Sequence, residues 1–244
     1  MPGTLIIVED ENDKWTFEAI IRSVKVEGHL TVIDTPEIDY TMITDENTIK
    51  PTALINGLKS LRNDFSKLAY NKVAIIRDMD QSNDVERLNI INIALKEAYP
   101  EEEVKLSESN RFQSFVFLQN STEKKINILF ACYFVGLTEN GVKKGEIEDI
   151  LKAIKTKPSP VADCVDKNLP ICLKLKPEKL KDKDLVKLWV NNYVRYDTIE
   201  KKDRNAKLTK WENVMKDRLH LFDFNNTEIA DFEELKKFLL SCSQ

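Results

Sequence analysis

Histidine and cysteine are scarce in this chain, with two histidines and four cysteines among 244 residues. Cys132, Cys164, Cys172 and Cys242 show no CxxC spacing, and His29 and His220 stand alone. That argues against a structural zinc site. Cys132 lies within the apolar run 126–135 and reads as a small buried hydrophobe. A Cys/His nucleophilic pair meets in space rather than in sequence, so spacing neither supports nor removes one. Long apolar runs are lacking too, and nothing approaches the roughly 20 residues that a spanning helix needs. The N-terminus has no basic segment followed by an apolar stretch and a small-residue cleavage site. These absences lead to the expectation of a cytoplasmic protein with no membrane partner.

A large excess of positive charge is also missing. The net charge is −4, which argues against a strongly basic protein that coats nucleic acid. The distribution is uneven, however. Residues 171–218 hold 14 Lys/Arg against 8 Asp/Glu, a balance of +6, which leaves −10 on the rest. Such an asymmetry suits an acidic core beside a basic surface for phosphates, and equally a solvated, salt-bridge-laced helical face. Charged residues at 32% and hydrophobic ones at 42% describe an ordinary globular chain, large enough for one domain or a domain with an appendage.

What the sequence does contain is two acidic clusters, each at the end of an apolar run. Leu5-Ile6-Ile7-Val8 leads into Glu9-Asp10-Glu11-Asn12-Asp13, and Val73-Ala74-Ile75-Ile76 leads through Arg77 into Asp78-Met79-Asp80. Short β-branched runs almost free of charge read as strands buried on both faces, as in parallel sheets. Their carboxyl ends are where open α/β sheets bind ligands. Carboxylates gathered there repel one another unless a cation sits among them.

The first half alternates strands and helices. The pattern predicts strands at 4–8, 30–33 and 73–76, helices at 13–23, 52–69 and 83–98, and a loop over 35–48. This βαβα rhythm implies a mostly parallel, Rossmann-like α/β sheet with right-handed crossovers. Runs at 112–118 and 126–135 follow, with a hairpin or short excursion across 119–125. A helix opening at Gly145 should end near Lys157, because Pro158 and Pro160 cannot continue it. From Pro177 onward the pattern is lysine-rich and mainly helical, and a last helix covers 227–240. The organisation expected is an α/β domain over 1–158 with a helical C-terminal extension over 159–244 packed on it.

Glu9 and Asp13 are four residues apart, a spacing that can bring both side chains to one side of a strand-to-helix turn. Asp78 and Asp80 project from the same face if the chain there is extended. Oxygen ligands of this kind suit a hard cation, and Mg²⁺ takes one or two carboxylates while keeping several waters. Each pair also reads as turn and helix-capping residues, with Asp13 a possible N-cap.

Val8-Glu9-x-x-x-Asp13 after one strand and Asp78-x-Asp80 after a later one resemble the Toprim domain. That domain is shared by topoisomerases, DnaG-type primases, small RNA-maturation nucleases and nucleases of the overcoming-lysogenization-defect class. The closer resemblance is to small stand-alone Toprim-like proteins of a domain-of-unknown-function family. Gly145-Glu146-Ile147-Glu148-Asp149-Ile150-Leu151 is similar to their Gly-x-Leu-Glu-x-Leu-Leu element, and Phe222-Asp223-Phe224-Asn225 to their aromatic Asp-Phe element. Two departures stand out. Asp10 occupies the place of a glycine that normally follows the first glutamate, where it either adds a carboxylate or narrows the approach of a phosphate. Gly136-Leu137-Thr138-Glu139-Asn140 replaces a Pro-Asp before the third element.

The resemblance implies a catalytic or metal-organising Glu9, metal ligands Asp78 and Asp80, further acidic members Asp13 and Glu148, and a weaker candidate in Asp84. It implies Mg²⁺, with Mn²⁺ as a substitute, and phosphodiester cleavage of DNA or RNA, with the ion or ions held among these carboxylates. The alternative is a non-catalytic module that binds nucleic acid or protein. A phosphotransfer receiver is a third reading, but no lysine is evident at the end of a later strand. A homo-oligomer stays open.

Overall fold

Apolar runs without charge become the inner strands of a five-stranded sheet, and their flanking amphipathic segments become its covering helices. The computed structural model describes residues 2–26, 28–35, 51–67, 69–118, 124–173, 182–203 and 205–243. The loop expected at 35–48 lies almost wholly outside the described residues, as do most of the excursion at 119–125 and the basic stretch 174–181. The chain runs β1 (Gly3–Val8), α1 (Glu11–Ser23), β2 (Leu30–Asp34), α2 (Thr52–Ser60), α3 (Arg62–Ser66), β3 (Tyr70–Asp78) and α4 (Asp84–Ala98). Next come β4 (Gln113–Leu118), β5 (Lys125–Val135), a small hairpin of β6 (Leu137–Glu139) and β7 (Val142–Lys144), and α5 (Ile147–Ala153). Helices α6 (Pro160–Leu173), α7 (Asp182–Asn192), α8 (Ala206–Thr209), α9 (Trp211–Asp217) and α10 (Ala230–Ser241) complete it.

The strand order is β2-β1-β3-β5-β4. Strands β1, β2, β3 and β5 pair in parallel, and β4 lies antiparallel on the edge against β5. The fold is thus a mixed α/β structure with a mostly parallel sheet flanked by helices, followed by a helical C-terminal region, as the βα rhythm implied. Alternation along the strands sorts their side chains into two apolar layers. Leu5, Ile7, Val73 and Ile75 join α2, α3 and α4 on one face. Ile6, Val8, Ala74 and Ile76 join α1, α5, α7, α9 and α10 on the other. This second layer draws Trp189, Tyr193, Phe232 and Phe238 of the C-terminal region into the same cluster as the central strands. No helix among the described residues is long and apolar enough to cross a membrane.

Several boundaries differ from the sequence reading. The helix expected over 52–69 is broken into α2 and α3 at the buried Leu61. Helix α5 stops at Ala153 instead of running to Lys157, because backbone bonds to 221–223 take over: Thr156 N donates to Leu221 O at 3.0 Å and Asp223 N to Ile154 O at 2.7 Å. Pro160, expected only to end a helix, opens α6, since a proline at a first helical position gives up no intrahelical bond.

A candidate metal centre at the carboxyl edge of the sheet

Strand β2 lies on one side of β1 and β3 on the other. Chain connections therefore diverge between β1 and β3, and a crevice opens at the carboxyl ends of those two strands. Glu9 follows β1 directly and Asp78 ends β3. The Asp78 N–H points at Glu9 Oε2, 3.4 Å away.

Helix α1 begins two residues after Glu9. Its N-cap is Asp10, whose Oδ1 accepts from the N–H groups of Asn12 at 2.8 Å and Asp13 at 3.0 Å. Asp10 has extended backbone, φ −139° and ψ 178°, which any residue adopts, so the absence of glycine costs nothing conformationally. The capping role considered for Asp13 belongs to Asp10, and Asp13 is left in the first turn with its carboxyl group turned into the crevice. Oxygens of Glu9, Asp13 and Asp78 come within 4.8 Å of one another.

A second group forms around the same aspartate. Oxygens of Asp78, Glu146 and Glu148 also lie within 4.8 Å of one another. Glu146 is the N-cap of α5, where its N–H bonds Asp149 Oδ2 at 2.9 Å. Ile147 N–H, at the start of that helix, donates to Asp78 Oδ1 at 3.0 Å. Gly145 lets the chain enter α5 in this way, because its φ is +93° and an added Cβ would meet the Asp149 carboxylate. Lys187 of α7 brings one positive charge, with Nζ 3.1 Å from Glu146 Oε2.

Asp80 is placed differently. The extended backbone expected through Asp78-x-Asp80 ends before it, since Asp80 adopts φ +51°. Its backbone pairs with Gly145, the two N–H···O bonds measuring 2.9 Å each, and its carboxylate forms an ion pair with Arg87. It is in neither group of converging carboxylates. Asp84 is exposed in the first turn of α4 and is outside them as well. Glu146 is the member that sequence reading passed over. Its signal was present two residues before Glu148, but a buried cap and an exposed cap look alike in sequence.

The electrostatics follow from crowding. Burial, then the charges of Asp10, Glu148 and Glu9, raises the Asp13 carboxyl well above the usual carboxylate range. Burial raises Asp78 likewise, helped by Asp13, Glu9, Glu148 and Glu146. Burial lifts Glu146 to about 7 against the opposing pull of Lys187, and it raises Glu148 against the same pull. Burial works to lower Lys187, but Glu148 and Glu146 outweigh it and hold the ammonium above the usual lysine range. The Oε2 atom of Glu148 is buried with no hydrogen-bond partner. An orphaned carboxylate oxygen beside four other carboxyl groups is what a hard cation would satisfy. The donor set is all oxygen, and it can hold a metal ion.

This crowding has a sign that can be measured. Carboxyl groups with raised folded-state pKa values bind more protons in the folded than in the unfolded chain. Metal-free stability contributed by the cluster is therefore full below about pH 4 and is lost as pH rises through the raised values, with Glu146 at about 7. A bound divalent cation reverses the penalty. The thermal midpoint gained on adding Mn²⁺ to chelator-treated protein is expected to widen from pH 5 to pH 8. A gain that stays constant or shrinks across that range would contradict the assignment.

Residues 3–242 match a family model described as protein of unknown function, DUF3226. The chain belongs to the DUF3226 family. No curated protein and no solved structure matches it. In this DUF3226 chain the matched span takes in every carboxylate of the centre, from Glu9 to Glu148, and the helix that carries Lys187.

The remaining basic residues of 171–218 that are described are largely engaged with the protein. Lys210 and Lys216 both pair with Glu212 at 2.7 Å, Lys202 pairs with Glu200 at 2.9 Å, and Arg218 bonds Thr198 Oγ1 at 2.7 Å. Cys132 is buried, which pushes its thiol up to about 12, far from a reactive thiolate.

Proposed function

We propose that this chain is a Mg²⁺-dependent phosphodiester-cleaving protein of the Toprim type, acting on DNA or RNA. The observation that carries the reading is the convergence of Glu9, Asp13, Asp78, Glu146 and Glu148 on the crevice between β1 and β3, with a buried glutamate oxygen left unsatisfied. The Toprim resemblance of the Glu9-x-x-x-Asp13 and Asp78-x-Asp80 elements supports it.

Glu9, Asp13 and Asp78 would hold the ion on one side, and Asp78, Glu146 and Glu148 on the other. A divalent ion bound there supplies a Lewis acid for a phosphate oxygen and lowers the pKa of a coordinated water. The chain's own part is positional. Ile147 N–H orients the Asp78 carboxylate, and the capped α1 start orients Asp13. Glu9, only half-buried at the mouth of the crevice, is the group to take a proton from an attacking water at its carboxylate. Lys187 Nζ, beside Glu146, is the charge that would meet an incoming phosphate oxygen.

The second reading is a non-catalytic module that binds nucleic acid or protein, and the acidic net charge favours it. Incubation of the chain with plasmid DNA, single-stranded DNA and RNA, in Mg²⁺ or Mn²⁺, separates the two. Metal-dependent cleavage that falls to background in Glu148→Gln, with the folded state intact, is the expected outcome. Ion binding without cleavage of any of these polymers would leave the binding module.

A further inference from the structure

On the opposite face of β3 from Asp78 lies a charge that the acidic centre does not use. Alternation along the strand sends Arg77 to the side of Val73 and Ile75, among the apolar residues covered by α2, α3 and α4. Arg77 is 5% exposed. Its Nη2 donates to Thr35 Oγ1 at 2.9 Å. Its Nη1 is buried with no hydrogen-bond partner, and no carboxylate pairs with the guanidinium among the described residues.

A guanidinium is always charged and carries five N–H donors. Burying one with a single neutral partner is costly, and a purely structural role at this position would be met by an aliphatic side chain like those at 73 and 75. Thr35 is itself fixed: its N–H donates to Val8 O at 3.1 Å and its hydroxyl reaches the same carbonyl at 3.3 Å. The guanidinium is therefore held at the carboxyl ends of β1, β2 and β3, at the end of the sheet where ligands of open α/β folds bind.

We propose that Arg77, held in place by the Thr35 hydroxyl, forms a phosphate-binding site on the α2/α4 side of the β1/β3 crevice. The Nη1 group and the remaining N–H of Nη2 supply the two parallel donors that grip two oxygens of a phosphate group, and the ligand supplies a negative charge that none of the described residues provides. The site is separate from the acidic centre and needs no metal ion, so it stands or falls independently of phosphodiester cleavage.

The test uses the whole chain in chelator, with inorganic phosphate as the probe. Equilibrium dialysis of radiolabelled phosphate is expected to show one saturable site per chain. Thermal midpoints measured across a phosphate series are expected to rise more for the wild type than for Arg77→Met, the variant correcting for the general stabilisation that phosphate salts give any protein. Arg77→Lys, which keeps the charge but not the paired donors, should retain part of the difference. Absence of saturable phosphate uptake by the wild type would overturn the proposal whether or not the variants fold. So would an equal phosphate-dependent rise in wild type and Arg77→Met.

Discussion

The Asp78→Asn chain is expected to bind Mn²⁺ about 100-fold more weakly than the wild type, or worse, and to unfold at a higher temperature than the wild type in chelator. The first effect arises because Asp78 is the one residue common to both groups of converging carboxylates. Removing groups that only orient ligands costs about 10–100-fold in metal affinity, and a direct ligand shared by two groups should cost at least the upper figure, about 3 kcal/mol. The second effect arises because Asp78 is buried and surrounded by Asp13, Glu9, Glu148 and Glu146. Asparagine keeps a side-chain carbonyl for Ile147 N–H, so the start of α5 is preserved. It loses the charge that the metal-free chain must either bury or protonate. Calorimetric titration with Mn²⁺ reads the first effect and thermal denaturation in chelator the second. Mn²⁺ affinity within about twofold of the wild type would remove Asp78 from the ligand set.

The Trp189→Ala chain is expected to lose about 3–5 kcal/mol of stability. Trp189 is fully buried, its ring stacks on Tyr193 with centroids 5.3 Å apart, and its indole N–H donates to Asp163 at 2.8 Å. Truncation opens a large cavity and leaves Asp163 Oδ1 without that donor, while Ser159 Oγ still donates to Oδ2. For a chain of this length the loss corresponds to a drop in midpoint of about 6–20 °C. Trp189 belongs to the same apolar cluster as Ile6, Val8 and Ile76 of the sheet, so the wild type should unfold in one transition and the variant in one earlier transition. Two resolved transitions, or a loss under about 1 kcal/mol, would mean that the C-terminal helices are energetically separate from the sheet. The same substitution should disturb the centre, because α7 carries Lys187 two residues before Trp189.

Strands β1 and β3 are legible because Leu5–Val8 and Val73–Ile76 are runs that only a doubly covered strand can bury. Their acidic ends are legible because the charge begins where the apolar run stops. Glu9 and Asp13 are brought together by short, local geometry, a strand end, a cap at Asp10 and one turn of α1, whereas Asp78 joins them only because β3 pairs beside β1. Asp80 escapes that logic. Its left-handed backbone comes from pairing with Gly145, and its charge goes to Arg87, neither of which can be inferred from Asp-x-Asp alone. Glu146 and Lys187 escape it for another reason. They lie 41 residues apart, and whether a capping glutamate is buried against a lysine depends on where α7 packs on α5.

Local pattern in the chain was sufficient for the α/β class, the two central strands and the acidic residues that follow them, because side-chain period and burial act over a few residues at a time. The strand order β2-β1-β3-β5-β4, the second carboxylate group around Asp78, the tying-off of Asp80 and the burial of Arg77 were decided by packing. Those features depend on contacts between segments far apart in the chain, where an exposed charge and a buried one are written with the same letter.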